Sequence, residues 1–186
     1  EKIEELLNKI NLKKKNFIEI GAGAGRTAKV ILSINENAKY VIADLPPAIE
    51  VSYKNLKACF PNKKILKCFS VKDSNLKEAF EKNDILFVFP HQIQFFPKKF
   101  FDLSIAIDCL HEMDKSIIKN YMNNFEKVSK ALYFKVWENA GLPYSFYQNY
   151  SVHKKEDYFI KNSWKEHLKE RCIYPDKFFH LGYEFD

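Results

Sequence analysis

The stretch from Asn16 to Lys29, NFIEIGAGAGRTAK, constrains the fold of this chain more than any other. Phe17, Ile18 and Ile20 make a short apolar strand, and Glu19 sits near its end. Gly21, Gly23 and Gly25 then alternate with alanines, and Ala28, Val30, Ile31 and Ile34 recur at helical spacing. Glycines let the backbone turn tightly and let a ligand lie against it with no Cβ in the way. Strand, glycine turn and helix in that order describe a nucleotide-binding turn opening an α/β sheet.

The spacing of the glycines separates cofactor classes. A dinucleotide fingerprint, G-x-G-x-x-G/A, needs a third small residue so that helix and strand pack closely around a pyrophosphate. Counted from Gly21, that place falls on Arg26, which is neither small nor neutral. The residues instead spell an acid, Glu19, followed two residues later by G-x-G-x-G. This resembles the first motif of the class I S-adenosylmethionine-dependent methyltransferases. Their ligand carries no phosphate and has a cationic amino group that an acid can help hold. A second apolar run, Tyr40 to Ala43, ends at Asp44, 19 positions after Gly25. Both nucleotide-binding layouts place an acid about 20 residues on, at the tip of the second strand, to accept hydrogen bonds from ribose hydroxyls. In isolation Asp44 would read as a turn or cap residue ahead of Pro46 and Pro47; in register with the glycine turn it reads as the ribose ligand.

At 186 residues the chain falls in the range of one domain. Cys59, Cys68, Cys109 and Cys172 show no C-x-x-C spacing and no clustered histidines, so no zinc site, no other metal and no disulfide framework is expected, and a reduced cytoplasm is the default. No apolar run approaches a membrane span, and EKIEELLNKI lacks the apolar centre of a signal peptide. Ile3, Leu6, Leu7 and Ile10 instead mark an amphipathic helix, and a chain that starts inside it without Met reads as a fragment of something longer. The net charge of +6 comes from short clusters (Lys13 to Lys15, Lys63 and Lys64, Lys98 and Lys99, Lys154 and Lys155) spread along the chain. A nucleic-acid footprint would gather on one face, so solvated lysines are the preferred reading.

Helix and strand signals alternate as in an α/β sheet. Ile49, Ser52, Tyr53, Leu56, Cys59 and Phe60 line one helical face, with Pro47 in the first turn. Ile65 to Phe69 read as an extra strand, and Ser74 to Lys82 as a helix capped by Asp73 or Ser74. Ile85 to Phe89 are continuously apolar, as a strand covered on both faces should be. Phe101, Leu103, Ile105 and Ile107 alternate towards Asp108, and Ile117, Ile118, Tyr121, Met122, Phe125 and Val128 predict a helix capped by Asp114. Leu132 to Trp137 give a further strand. Phe179, Leu181, Tyr183 and Phe185 alternate with His180, Gly182 and Glu184, which suits a final antiparallel strand with one wetter face.

Open parallel sheets bind ligands beyond the carboxyl ends of their strands, which directs attention to Phe89-Pro90-His91-Gln92 and to Asp108 through Asp114. The combination FIEIGAGAGR, VIADLPPA, ILFVFPHQI, FDLSIAIDCLHEM and LYFKVWE resembles the sugar O-methyltransferase family, a branch of the class I methyltransferases, in order over nearly the whole chain. The stretches DLPP, with Leu45 beside Asp44, and HEM also resemble the D-L-P and H-D-W motifs of small-molecule O-methyltransferases acting on phenols. The resemblance implies a general base at His111, although Met113 replaces the tryptophan and Glu112 the acid. It also implies helical sequence ahead of the first motif, so a domain over 1–186 would lack an N-terminal helical region.

Gln92 and His91 are candidates for the adenine edge, where an amide both donates and accepts. Asp108 could meet the cofactor's amino group or orient His111, and Glu112 could orient the base or help a divalent ion; Asp108, His111 and Glu112 form no recognised ligand spacing and HEMDK lacks the second histidine of a zinc helix, so no metal is expected. The aromatic stretch Tyr144, Phe146, Tyr147, Tyr150, Tyr158, Phe159 and Trp164 reads mostly as packing, with one or two rings free to touch an acceptor. The expected architecture is a doubly wound, mostly parallel Rossmann-like sheet of about seven strands with an antiparallel strand near the C-terminus. The expected activity is S-adenosylmethionine-dependent O-methylation of a sugar or a sugar-containing glycan precursor, as a small-molecule or glycan acceptor. An RNA methyltransferase and a non-catalytic binding module stand as alternatives, with a dinucleotide oxidoreductase disfavoured by Arg26.

Overall fold

The computed structural model describes residues 1–12, 15–70, 72, 75–137, 153–174 and 176–185. Its centre is β1 (Asn16–Ile20), flanked by β2 (Lys39–Ala43) and β5 (Phe101–Ile107), both parallel to it. Beyond β2 lie β4 (Ile85–Val88) and β3 (Ile65–Lys67), and beyond β5 lies β6 (Ser129–Trp137), all in the same direction. β8 (Phe178–Glu184) then runs antiparallel to β6, and β7 (Lys165–Arg171) pairs antiparallel with β8 at the far edge. The order is β3-β4-β2-β1-β5-β6-β8-β7.

Strand periodicity explains why both faces are covered. Successive side chains point to opposite faces, so Ile18, Ile20, Val41, Ala43, Leu86 and Val88 enter one core while Phe17, Tyr40, Ile42, Ile85 and Phe87 enter the other. Helices α2 (Arg26–Ile34) and α3 (Ala48–Cys59) bury Ala28, Ile31, Ile49 and Leu56 in the second core. Helices α4 (Leu76–Lys82) and α5 (Lys115–Val128) bury Leu76, Phe80, Ile118, Met122 and Phe125 in the first. Asp114 holds the N-cap position of α5, but no side-chain capping bond forms. The proposed α4 caps, Asp73 and Ser74, and the aromatic residues Tyr144, Phe146, Tyr147 and Tyr150 lie outside the described residues.

Among the described residues the sheet has eight strands where about seven were expected. The added one is β7, whose sequence KEHLKER gives no apolar alternation and buries only Leu168. An edge strand needs only one covered position, and charges along it discourage pairing with other chains. A register shift between Glu166 and Leu168 further interrupts it. The expected wetter face of β8 is also drier than its sequence suggests. Helix α1 (Lys2–Lys9) lies across it, and a Cβ built on Gly182 would come within 2.7 Å of the Leu6 side chain. On α2, Val30 and Ile34 are exposed and line a groove of about 250 Å³ with Ile3, Leu7 and Ile31. No helix among the described residues is long and apolar enough to cross a membrane.

Candidate cofactor and acceptor site

The glycine turn leaves β1 at the switch point of the sheet, where β2 departs to one side and β5 to the other. All three glycines adopt left-handed backbone, with φ of 61°, 55° and 74° at Gly21, Gly23 and Gly25, a region costly for residues with a Cβ. Their surroundings differ. A Cβ on Gly21 would meet the Cβ of Cys109 at 2.6 Å, so Gly21 serves close packing against the end of β5. A Cβ on Gly25 would press on Leu56 and Ser52 of α3 at 3.3 Å. A Cβ on Gly23 would meet nothing within 4 Å among the described residues. Gly23 thus presents bare backbone to open space, a cradle that a side chain would fill.

Asp44 fixes this turn from the tip of β2. Its Oδ2 accepts from the Gly23 amide at 3.0 Å and its Oδ1 from the Leu45 amide at 2.8 Å. Each carboxylate oxygen keeps a further lone pair. Leu45, beside it, is 61% exposed. Glu19 behaves differently from the expected partner of a ligand amino group. It is only 2% exposed, and its carboxylate takes hydrogen bonds from Tyr40 Oη at 2.9 Å and from Thr27 at the start of α2. Burial raises its pKa from 4.5 to about 7, against the opposing effect of those bonds. The alternation that sends Phe17 into the α2 side of the sheet sends Glu19 there too, so it braces strand and helix beneath the turn.

At the end of β4 the chain enters a 3₁₀ turn, Pro90–Phe95. Gln92 is 2% exposed; its Oε1 accepts from the Phe89 amide at 2.9 Å, and its Nε2 donates to the Cys68 carbonyl at 3.1 Å. The Oε1 bond closes the turn on its own first residue, and the Nε2 bond ties it to the β3 side of the sheet, so both ends of the amide have protein partners. His91 remains exposed, stacked on Phe89 at 6.0 Å.

Beyond β5, Asp108 takes left-handed backbone, φ 56°, which Asp tolerates better than most residues. Its Oδ2 lies 3.2 Å from Lys135 Nζ on β6, so its paired partner is a lysine and not His111. Cys109 is buried with Sγ 3.5 Å from the Ile20 carbonyl, and burial pushes its thiol pKa well up. His111 follows in a short 3₁₀ turn, Leu110–Glu112, and is 6% exposed. Its ring lies parallel to Trp137 at 5.7 Å and edge-on to Phe178 at 5.8 Å. Burial lowers its pKa below the ordinary 6.5 and so favours the neutral ring, partly offset by the negative charge of Asp108. Glu112 is exposed. Partial loss of hydration and the like charge of Asp108 raise its pKa. Among the described residues no group of His, Cys, Asp or Glu is placed to hold a metal ion.

Two residues that sequence reasoning passed over stand beside His111. Trp137 ends β6, and the rule that drew attention to the carboxyl end of β5 applies equally to its parallel neighbour. His153, 4% exposed, bonds through Nε2 to the Met113 carbonyl at 2.6 Å. Nothing in the spacing around it signals that position.

No protein-family model matches the chain, and no curated protein matches it in sequence. Solved structures do match in fold. The pyocyanin biosynthetic protein PhzM aligns at 12% identity and TM-score 0.59, over 98% of this chain and 53% of that one. The chain therefore spans about half the length of PhzM. Magnesium protoporphyrin IX methyltransferase from Synechocystis, with bound S-adenosylmethionine, aligns at 10% identity and TM-score 0.61, over 99% and 76% of the two chains. An S-adenosylmethionine-dependent methyltransferase from Clostridium acetobutylicum aligns at 10% identity and TM-score 0.65, over 99% and 89%. The chain shares the mixed α/β, mostly parallel fold of these methyltransferases.

Proposed function

We propose that this chain is an S-adenosylmethionine-dependent O-methyltransferase that methylates a hydroxyl of a sugar or a sugar-containing glycan precursor. The observation that carries the reading is Gly23: left-handed, open on its outer face, at the switch point of a methyltransferase-like sheet, with its amide held by Asp44. The backbone of Gly21 to Gly25 would lie against the cofactor, the spare lone pairs of Asp44 would take ribose hydroxyls, and Leu45 and His91 would flank the adenosine. When bound, the cofactor supplies an electrophilic methyl group on a sulfonium.

Positioning dominates such a reaction. Well-oriented reactants reach effective molarities of about 10⁵ to 10⁸ M, whereas a placed base adds about 10² to 10⁴ fold. The fold supplies the first by fixing the glycine turn and the end of β5 against each other through the Gly21–Cys109 contact. His111 supplies the second: a neutral imidazole can take the proton of an attacking hydroxyl. The sugar as acceptor rests on the resemblance of the ordered motifs from FIEIGAGAGR to LYFKVWE.

Calorimetric titration with S-adenosylhomocysteine and with NAD tests the cofactor, and transfer of labelled methyl to a panel of monosaccharides tests the acceptor. Binding of S-adenosylhomocysteine that weakens in Asp44→Ala is the expected result. Binding of NAD alone, or no change in the variant, overturns the cofactor reading.

A further inference from the structure

Three buried polar atoms, His111 Nδ1, Trp137 Nε1 and His153 Nδ1, have no hydrogen-bond partner among the described residues. Each buried donor or acceptor left unpaired costs about 1 to 3 kcal/mol, and native proteins hold few of them. These three occur together. The His111 and Trp137 rings stack, and His153 is bonded to the carbonyl of Met113, two residues beyond His111. They gather at the carboxyl ends of β5 and β6, the end of the sheet that carries the glycine turn.

The chemistry of each atom limits what could satisfy it. A carbonyl only accepts, so His153 Nε2, 2.6 Å from Met113 O, carries a proton, and in the neutral ring Nδ1 presents a lone pair. The Trp137 indole N–H only donates. A molecule satisfying both must accept one hydrogen bond and donate another. A carboxylate has nothing to donate to His153, and an ammonium has nothing to accept from Trp137. A hydroxyl does both.

We propose that Trp137 and His153 form the acceptor subsite for a neutral, hydroxyl-bearing molecule, in which Trp137 Nε1–H donates to a hydroxyl oxygen and His153 Nδ1 accepts a hydroxyl proton beside the His111 imidazole. The proposal rests on the methyl-transfer reading of this site and adds to it the residues and the polarity of acceptor recognition.

The two tryptophans provide a built-in control, because Trp164 Nε1 already donates to Glu126 Oε1 at 2.8 Å. Indole N–H resonances are followed by NMR during titration with glycerol, D-glucose, D-galactose and D-mannose, and with sodium acetate and ethylammonium as charged probes. The Trp137 resonance should move with at least one polyol and with neither charged probe, while that of Trp164 stays in place. His153→Phe keeps an aromatic ring and removes the Nδ1 lone pair; Trp137→Phe keeps the ring stack and removes the N–H. The His153→Phe change, read at Trp137, and the Trp137→Phe change, read by equilibrium dialysis, should each weaken polyol binding roughly 3- to 10-fold, with S-adenosylhomocysteine affinity unchanged. No movement at Trp137 with any polyol, a response to acetate instead, or unaltered polyol binding in both variants overturns the proposal. Failure of wild-type protein to bind S-adenosylhomocysteine, with the Trp137 response intact, overturns the cofactor reading and supports the polyol subsite.

Discussion

Replacing Gly23 by alanine separates a ligand-facing glycine from a packing glycine, because the same change at Gly21 meets different surroundings. Both positions have left-handed backbone, for which an L side chain costs about 1 to 2 kcal/mol. At Gly23 that is the cost to the fold, since the new methyl group meets nothing within 4 Å among the described residues. For a chain of this size each kcal/mol lowers Tm by about 2 to 4 °C, so Gly23→Ala should melt roughly 2 to 8 °C lower. At Gly21 the new Cβ would stand 2.6 Å from that of Cys109, which adds an overpacking cost of about 1 to 3 kcal/mol. Gly21→Ala should therefore be the less stable of the two. Ligand affinity should fall in the less damaged protein. In Gly23→Ala the methyl occupies the cradle, and if its clash with the ligand matches overpacking in a core, S-adenosylhomocysteine binds roughly 5- to 150-fold more weakly. Thermal melts without ligand and calorimetry with it provide the two numbers. A Gly23→Ala protein that binds as tightly as wild type, or a Gly21→Ala protein that is no less stable than Gly23→Ala, refutes the reasoning.

The other expectations follow from single contacts. Asp44→Asn keeps one carbonyl oxygen for an amide but places an NH₂ group at the other, so S-adenosylhomocysteine affinity should fall by about tenfold, as calorimetry would register. His111→Ala should lower turnover by about 10² to 10⁴ fold with cofactor affinity nearly unchanged, and equal turnover would remove it from the reaction. Because burial lowers the His111 pKa, kcat/KM should be flat through neutral pH and fall only below pH 6.5, where the ring gains a proton; an acid limb centred above that value would contradict the assignment. Glu19 holds its proton up to about pH 7 when folded but loses it near 4.5 when unfolded, so wild-type stability should decline as pH rises through that window. Glu19→Gln should flatten that decline and gain at most about 3 kcal/mol relative to wild type above pH 7, measured by urea unfolding; a parallel decline in the variant would assign the effect elsewhere.

The parallel half of the sheet was legible because its strands are short, uniformly apolar and buried on both faces. The strand read over Ile85 to Phe89, observed as Ile85–Val88, could be placed from five residues alone, since a run that admits no polar side chain leaves no exposed face to account for. β7 was illegible for the opposite reason: one buried leucine among six polar residues satisfies an edge position yet carries no period. Val30 and Ile34 show the limit of helical periodicity from the other side. They match the spacing of Ala28 and Ile31 but lie exposed on α2, because spacing places residues on a shared flank without saying what covers it.

The candidate site divides in the same way. The βαβ layout fixes an acid about 20 residues beyond the glycines, so the place of Asp44 beside the turn could be read from sequence, whereas its hydrogen bond to the Gly23 amide could not. Glu19 and Gln92 could not be resolved, because a polar residue near a strand end faces either the ligand crevice or the interior, and only three-dimensional partners decide. Tyr40 and Thr27 draw Glu19 inward; the Phe89 amide and the Cys68 carbonyl draw in Gln92. Burial then changes the chemistry as well as the place. A carboxyl held near pH 7 beneath the turn exchanges a proton where an exposed carboxylate would keep its charge, so any cation settling above Gly23 would favour release of that proton. Cofactor binding should therefore release protons near neutral pH in the wild type and fewer in Glu19→Gln. Calorimetry in buffers of different ionisation enthalpy measures that release directly, and equal release from the two proteins would separate Glu19 from the bound ligand's charge.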